Sequence, residues 1–444
     1  MDAGLADAPE KENIHLRMSK PSLRSRLHTA PLLKQLGPGL ITGAADDDPS
    51  GIATYSQGGA QFGFHLLWTM PLTFPLMTAI QMLSALVGRV TGQGLAYNMS
   101  QILPRPLVMG LLALLFFANT INVGANLAAM GEVANLVTGL NQHAFTLFFA
   151  LLSLGLQLFI PYRQYARVLT VLTFSLFAYV AILFLLPLDW SAIGAGLIGW
   201  KADLNASAAT TIVAIFGTTI SPYLFFWQSA QEVEEVDQRA DEHPLIERPR
   251  EAPQAISRIR IDTIAGMAMS NLIALAIMIA TAATLHANGV TSINSAADAA
   301  KALEPIAGRF AFGLFAIGII GTGLLAIPVL AGSAGYAVAE AAGWKTGLDR
   351  MPWQARGFYS VIGAAVLLGL GIDWSPIDPI QALYWSAVLN GVIAVPMMAV
   401  LMMVASSRRR MGKFRAGWVL GGLGWLTTAI MAAAAITMIY VNLR

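Results

Sequence analysis

Long apolar runs separated by short polar stretches dominate the chain. A helix needs about 20 apolar residues to cross the hydrocarbon core of a bilayer. Eleven runs approach that length, at approximately 37–57, 64–88, 106–134, 144–160, 168–188, 209–231, 262–285, 310–341, 357–372, 379–404 and 417–441. The first and sixth are the weakest by hydropathy. The first contains Asp46, Asp47 and Asp48, and the sixth is interrupted by Ser221-Pro222. Both are retained because their flanks are apolar. The pattern predicts an all-α polytopic membrane protein with eleven transmembrane helices.

The basic residues support that count. Of 27 Lys and Arg, 23 fall in the N-terminal arm and in the segments after spans 2, 4, 6, 8 and 10; only Lys201, Lys301, Arg309 and Arg444 fall on the other side. One span more or fewer would scramble this alternation. The positive-inside rule then places the N-terminus in the cytoplasm and the C-terminus outside, in what is expected to be a bacterial inner (plasma) membrane. Charged residues make up 12% of the chain, about half the share of roughly 25% in soluble domains. Hydrophobic residues make up 56% and mean hydropathy is +0.62. These values exclude a soluble enzyme and a disordered chain. With no Cys there is no disulfide scaffold, thiolate metal site or cysteine nucleophile. Residues 1–36 are polar and basic without an apolar h-region, so they read as a cytoplasmic arm and not as a cleavable signal. No nucleic-acid motif is present, no protein partner is implied, and the bilayer is the expected surrounding.

Spans 1 and 6 share a polar-Pro step in mid-membrane, Asp48-Pro49 and Ser221-Pro222. Asp and Ser are good N-caps, and Pro is favoured at the first helical position. Each span therefore reads as two half-helices with unwound backbone between them. Such backbone is tolerated at membrane depth only where it lines a protein-enclosed cavity. Span 6 also opens a second unit of five spans, and odd-numbered repeats have inverted topology. This predicts a LeuT-type 5+5 inverted repeat with broken first helices. Its parts are an arm (1–36), a first repeat (37–188), an extracellular connection (189–208), a second repeat (209–404), and a cytoplasmic loop with the last span (405–444). Ionisable residues inside the membrane are functional candidates by default. Asp48 adjoins the break and is the best cation ligand. Asp46 and Asp47 are expected to line a vestibule or to bond neighbouring helices.

Gly37-Pro38-Gly39-Leu40, followed by Asp48-Pro49-Ser50-Gly51, resembles the start of the natural-resistance-associated macrophage protein (NRAMP) family, which carries Asp-Pro-Gly-Asn there. Gly58-Gly59-Ala60-Gln61-Phe62-Gly63, Leu83-Ser84-Ala85 to Thr91-Gly92, and Gly217-Thr218-Thr219-Ile220-Ser221-Pro222-Tyr223 continue the likeness. The resemblance covers essentially 37–441 and implies transport of divalent metal ions, usually coupled to protons. It implies Asp48 as the binding carboxylate and the Thr218 carbonyl as a further ligand. The departures are informative. The family's ligand Asn is Gly51 here, and its ligand Met is Ser221. Loss of a thioether disfavours softer metals, while Mg2+ wants hard oxygens and keeps waters. The pattern resembles the NRAMP-related magnesium transporter branch, with small residues at Gly51 and Ser221 making room for hydration water.

The family's proton-transfer positions match Asn126, Ala129, Tyr223 and Gln228, none of which titrates near neutral pH. Asn119, Asn122 and Asn126 share a helical face by their spacing. Gln381 and Asn390 are polar residues on an apolar span that could reach the cavity. Glu232, Glu234 and Glu235 read as an acidic lip or a solvated helix end. The expected function is transport of Mg2+, and also Mn2+, weakly coupled or uncoupled to protons. The metal is cargo, so neither a cofactor nor an enzymatic activity is expected. The alternatives are a proton-coupled Mn2+/Fe2+ carrier, a sodium-coupled amino-acid carrier of the same fold, and, last, a membrane aspartyl hydrolase using Asp373 or Asp378.

Overall fold

The computed structural model describes residues 38–162, 164, 171, 174–199, 205–238 and 242–444. Among these residues the ordered elements are all helical. The principal helices are α1 (Pro38–Asp46), α2 (Pro49–Phe62), α3 (Thr69–Thr91), α4 (Arg105–Thr138), α5 (Gln142–Phe159), α6 (Ala206–Thr219), α7 (Pro222–Gln238), α8 (Ala252–Thr284), α9 (Ala311–Ala342), α10 (Arg356–Gly369), α11 (Pro379–Ser406) and α12 (Trp418–Asn442). Among the described residues, nine helical segments are long and apolar enough to cross a membrane, the α6–α7 pair counting as one. The expected first span is the α1–α2 pair, whose halves are nine and 14 residues long. The expected fifth span, 168–188, falls partly outside the described residues, and a short helix, Phe177–Ile182, lies within it. The arm (1–36), Arg163, Arg167 and Lys201 lie outside them.

Both expected breaks occur where the Pro steps stand. α1 ends at Asp46 and α2 begins at Pro49; α6 ends at Thr219 and α7 begins at Pro222. Missing side chains let these half-helices approach their neighbours closely. A Cβ on Gly43 would lie 2.4 Å from the Gly266 carbonyl oxygen of α8, and one on Gly217 would lie 2.4 Å from the Gly391 nitrogen of α11. Small residues at such contacts are the usual means of bringing membrane helices into backbone contact.

Helix α8 starts ten residues before its apolar run. The added turns carry Arg258, which donates to Glu232 at 2.6 Å and to Glu235 at 2.7 Å. Glu234 accepts from the Leu348 amide at 2.8 Å and from the Tyr336 hydroxyl. The three glutamates thus form neither an acidic lip nor a solvated helix end. Each is tied to a neighbouring element, because a buried carboxylate needs a partner to offset its lost hydration.

Candidate functional site

Asp48 is fully buried and sits in the gap between α1 and α2. Its backbone is extended (φ −69°, ψ 168°), and its Oδ1 accepts from the Gly51 amide at 2.9 Å and the Ser50 hydroxyl at 2.6 Å. It is therefore the N-cap of α2, with Pro49 at the first helical position. Its Oδ2 faces α4, where the side-chain amides of Asn126 and Asn122 approach to 3.3 and 3.5 Å. Asn126 also donates to Asn122 Oδ1 at 3.3 Å, and Ser386 of α11 donates to the same oxygen at 3.1 Å. One carboxylate thus connects a broken helix to two unbroken ones. A carboxylate has about four lone-pair sites and all four are engaged here, so a cation would displace the two long amide contacts, at 3.3 and 3.5 Å.

Ser221 behaves differently from the N-cap expected of it. Its hydroxyl turns back and donates to the carbonyls of Gly217 at 2.6 Å and Thr218 at 2.8 Å. These are among the last carbonyls of α6, which no intrahelical donor reaches. Ser221 closes the end of α6, whereas Asp48 opens α2. The Thr218 carbonyl keeps a second lone pair for a cation. The Thr218 hydroxyl is buried and has no hydrogen-bond partner among the described residues. It lies 3.3 Å from where a Cβ on Gly51 would stand; the Asp46 carbonyl oxygen is 3.2 Å and a Tyr55 ring carbon 3.3 Å from the same point. The space freed by glycine is therefore filled by protein atoms in this conformation, not open for water. Tyr223 joins the same cluster, near Asp48, Asp46 and Ser221.

Asp46 and Asp47 turn toward α8. The Ser270 hydroxyl lies 2.5 Å from Asp46 Oδ2 and 3.1 Å from Asp47 Oδ1. It has one proton to give to two carboxylates. The triple Asp does not converge into one cage, and no group of three or more acidic or histidine side chains among the described residues could hold a metal ion. Successive positions around the α1 terminus point in different directions, so Asp48 alone faces α4.

The other expected residues are spread out. Gln228 accepts from the Thr42 hydroxyl at 2.5 Å, which joins the half-helices α7 and α1 about two turns from the break. Asn390 is buried at the level where Gly391 meets Gly217, and neither of its amide atoms has a partner among the described residues. Gln381 lies at the far end of α11 and donates to the Ile293 carbonyl at 2.8 Å. Asn119 shares the face of Asn122 and Asn126 but bonds α9, through the Leu330 carbonyl and Ser333. Sequence reasoning missed Tyr55, Ser270 and Ser386. Tyr55 stands one turn beyond Gly51 on the same face of α2 and was findable by that spacing. The two serines are single polar residues on apolar helices and carried no local signal.

Two helices broken near one buried carboxylate, within a bundle of apolar helices, define a membrane transporter fold. The fold is shared with the manganese transporter of Eremococcus coleocola (TM-score 0.73, 19% identity, 92% of this chain and 86% of that one). It is shared more distantly with Mhp1, a nucleobase-cation-symport-1 family transporter (TM-score 0.52, 13% identity, 91% and 92%). The model of the Nramp family, natural resistance-associated macrophage protein-like, matches residues 39–441, and the chain belongs to that family. The divalent metal cation transporter MntH of Deinococcus radiodurans is 27% identical over 417 residues, covering 90% of this chain and 88% of its own.

Proposed function

We propose that the chain is an integral-membrane transporter of divalent metal cations, with Mg2+ preferred and Mn2+ also carried. It reads as eleven spans, ten of them in a 5+5 inverted repeat. The observation that carries the reading is Asp48, a buried carboxylate to which the side-chain amides of Asn122 and Asn126 donate, with the oxygen groups of Thr218 and Tyr223 nearby at the second break. Hard oxygens suit Mg2+. The positions that resemble the family's Asn and Met ligands are Gly51 and Ser221, which supply neither an amide nor a thioether. Because Gly51 is packed in this conformation, hydration water would enter only as the half-helices part.

Transport is proposed to be uncoupled from protons. Asn126 and Ala129 offer no titrating group, and Tyr223 and Gln228 offer none near neutral pH. The carboxylates that favour the coupled alternative are Asp46 and Asp47, which compete for the Ser270 proton. A membrane potential alone drives accumulation, since each charge gains about 2.3 kcal/mol per 100 mV. Asp373 and Asp378 do not suggest a hydrolase: Asp373 bonds His143 and Thr146, and Asp378 caps α11.

Flux into proteoliposomes tests the reading directly. Mg2+ and Mn2+ should enter, amino acids should not, and Asp48→Ala should abolish influx while inserting normally. An internal pH probe should stay level during influx. Acidification that disappears in Asp46→Asn or Asp47→Asn would establish proton coupling instead.

A further inference from the structure

Away from Asp48, an apolar groove of about 240 Å3 opens on the outside of the bundle between α3, α8 and α12. Pro75, Thr78 and Ala79 place small side chains on one face of α3, at positions i, i+3 and i+4, between the larger Phe74 and Met82. Ile264 of α8 and Leu420 and Leu423 of α12 form the other walls. The single hydroxyl is satisfied within its own helix, Thr78 donating to the Phe74 carbonyl at 2.7 Å.

The groove has the depth of one leaflet. Phe74 and Met82 are eight residues apart, about 12 Å along the helix axis, against roughly 15 Å for half of the hydrocarbon core. Its deep end is closed where Asn271 of α8 donates to the Thr73 hydroxyl of α3 at 3.3 Å. Its shallow end lies at the start of α12, where Trp418 is 90% exposed, as an aromatic anchor at headgroup level is. An apolar slot of this depth fits an acyl chain.

The mouth of the groove carries the distinguishing feature. Arg260 stands one turn before Ile264 on α8, and Arg415 stands three residues before Trp418. Both are exposed, and among the described residues neither pairs with a carboxylate. Three other arginines of this membrane face are engaged: Arg89 with Glu242 at 3.1 Å, Arg258 with Glu232 at 2.6 Å, and Arg410 with Asn98 at 2.9 Å. No Asp or Glu follows Asp378 in the chain, so α12 and the loop before it offer no anion. The positive-inside rule places cations on this face. It does not place two uncompensated ones on the two elements that flank one apolar groove. Arginine lays its stem along apolar surface with its charged head at the interface, and its fork matches a phosphate. A zwitterionic headgroup would bring an ammonium toward the two guanidinium groups, whereas an anionic one leaves its charge for them.

We propose that the groove is a site for one anionic phospholipid of the cytoplasmic leaflet, with an acyl chain between α3, α8 and α12 and the phosphate between Arg260 and Arg415. The proposal rests on the orientation that puts this end in the cytoplasm, and not on which ion is carried. α8 also carries Gly266 and Ser270, against which α1 packs, so the lipid braces the helix that bears on the Asp48 half-helix.

Native mass spectrometry of the purified full chain in detergent tests the site, with phosphatidylglycerol and phosphatidylcholine of matched chains as probes. One basic residue near an anionic lipid contributes about fivefold, so phosphatidylglycerol should be retained at least about fivefold more tightly. Arg260→Gln combined with Arg415→Gln should abolish that preference. Lys345→Gln combined with Arg356→Gln removes two exposed cations of the same face beside α9 and α10 and should leave it intact. Ala79→Phe fills the groove and should lower retention of both lipids, and Leu420→Trp at the half-buried mouth repeats that test on another helix. Unchanged melting temperatures without added lipid show that a variant is folded. Glycerol phosphate, which lacks acyl chains, should not compete. Equal retention of the two lipids, equal loss of preference in the two arginine and lysine pairs, retention indifferent to both groove variants, or displacement by glycerol phosphate would overturn the proposal. The measurement involves no metal, so its failure and a failure of the transport reading are separate results.

Discussion

Ser221 separates two contributions that the same position makes, to helix closure and to metal preference. Its one hydroxyl proton is shared between two buried carbonyls, Gly217 at 2.6 Å and Thr218 at 2.8 Å. A typical buried hydrogen bond contributes about 0.5–1.5 kcal/mol net, and Ser221 has one proton to give, so Ser221→Ala should cost about that much stability and loosen the end of α6. Ser221→Met incurs the same loss and adds a bulky side chain to a closed cluster, for about 1–3 kcal/mol more. It also introduces a thioether beside Asp48. A thioether ranks Mn2+ and Cd2+ above Mg2+, and a tenfold change in the Mn2+ to Mg2+ flux ratio corresponds to about 1.4 kcal/mol. Ser221→Thr retains the hydroxyl and is the control for closure. The assay is competitive Mg2+ and Mn2+ influx in proteoliposomes, with thermal denaturation of the detergent-solubilised variants alongside. Ser221→Met should move the ratio toward Mn2+ by about tenfold, whereas Ser221→Ala should lower both fluxes and leave the ratio near that of the unmodified protein. Equal ratios in the Met and Ala variants would show that donor softness does not set the preference.

Gly51→Ala places a methyl 3.2–3.3 Å from the Asp46 carbonyl, the Thr218 hydroxyl and Tyr55. Metal affinity measured by calorimetry should fall, and Thr218→Ala in the same chain should restore part of it. Ser270→Ala removes the hydroxyl between Asp46 and Asp47 and should cost about 1.5–3 kcal/mol, the range for a hydrogen bond to a charged group, read by thermal denaturation. Arg258→Met leaves Glu232 buried without its partner. The full cost of about 3–5 kcal/mol for a broken buried pair is reduced because the Arg258 side chain is 28% exposed, and Glu232→Gln should recover much of the loss. A simple additive outcome in that double variant would show the pair to be energetically idle.

The breaks and their centre were legible because they violate what a membrane helix ordinarily allows. Three Asp and a Pro in one apolar run demand an explanation, and Asp48-Pro49 is also a local helix-start signal. Asn122 and Asn126 were legible as a pair by their spacing of four. The direction of the Ser221 hydroxyl was not, because a Ser before Pro can serve the helix behind it or the one ahead, and the neighbouring chain decides. Glu232, Glu234 and Glu235 look solvated when read locally; their partners Arg258, Tyr336 and Leu348 lie on other elements. Ser270 and Ser386 gain meaning only from what faces them. The start of α8 was read ten residues late because hydropathy detects the part of a helix that lipid and protein bury, while the charged turns beyond it are equally helical.

The contacts of Gly43 with Gly266 and of Gly217 with Gly391 have a mechanical consequence. Each sets backbone directly against backbone at the glycine itself. At these points displacing α1 along α8, or α6 along α11, meets no side chain of the glycine itself, and the links that must break are polar ones, Ser270 to Asp46 and Asp47 on α8 and Thr211 to Tyr384 on α11. α7, by contrast, is pinned by Glu232, Glu234 and Glu235. The molecule therefore carries two close backbone bearings, one against each of two long helices, and a set of charged rivets on α7. A bulky residue at either bearing would hinder motion more than it would hinder folding into the closed arrangement, provided the backbone can part to admit it.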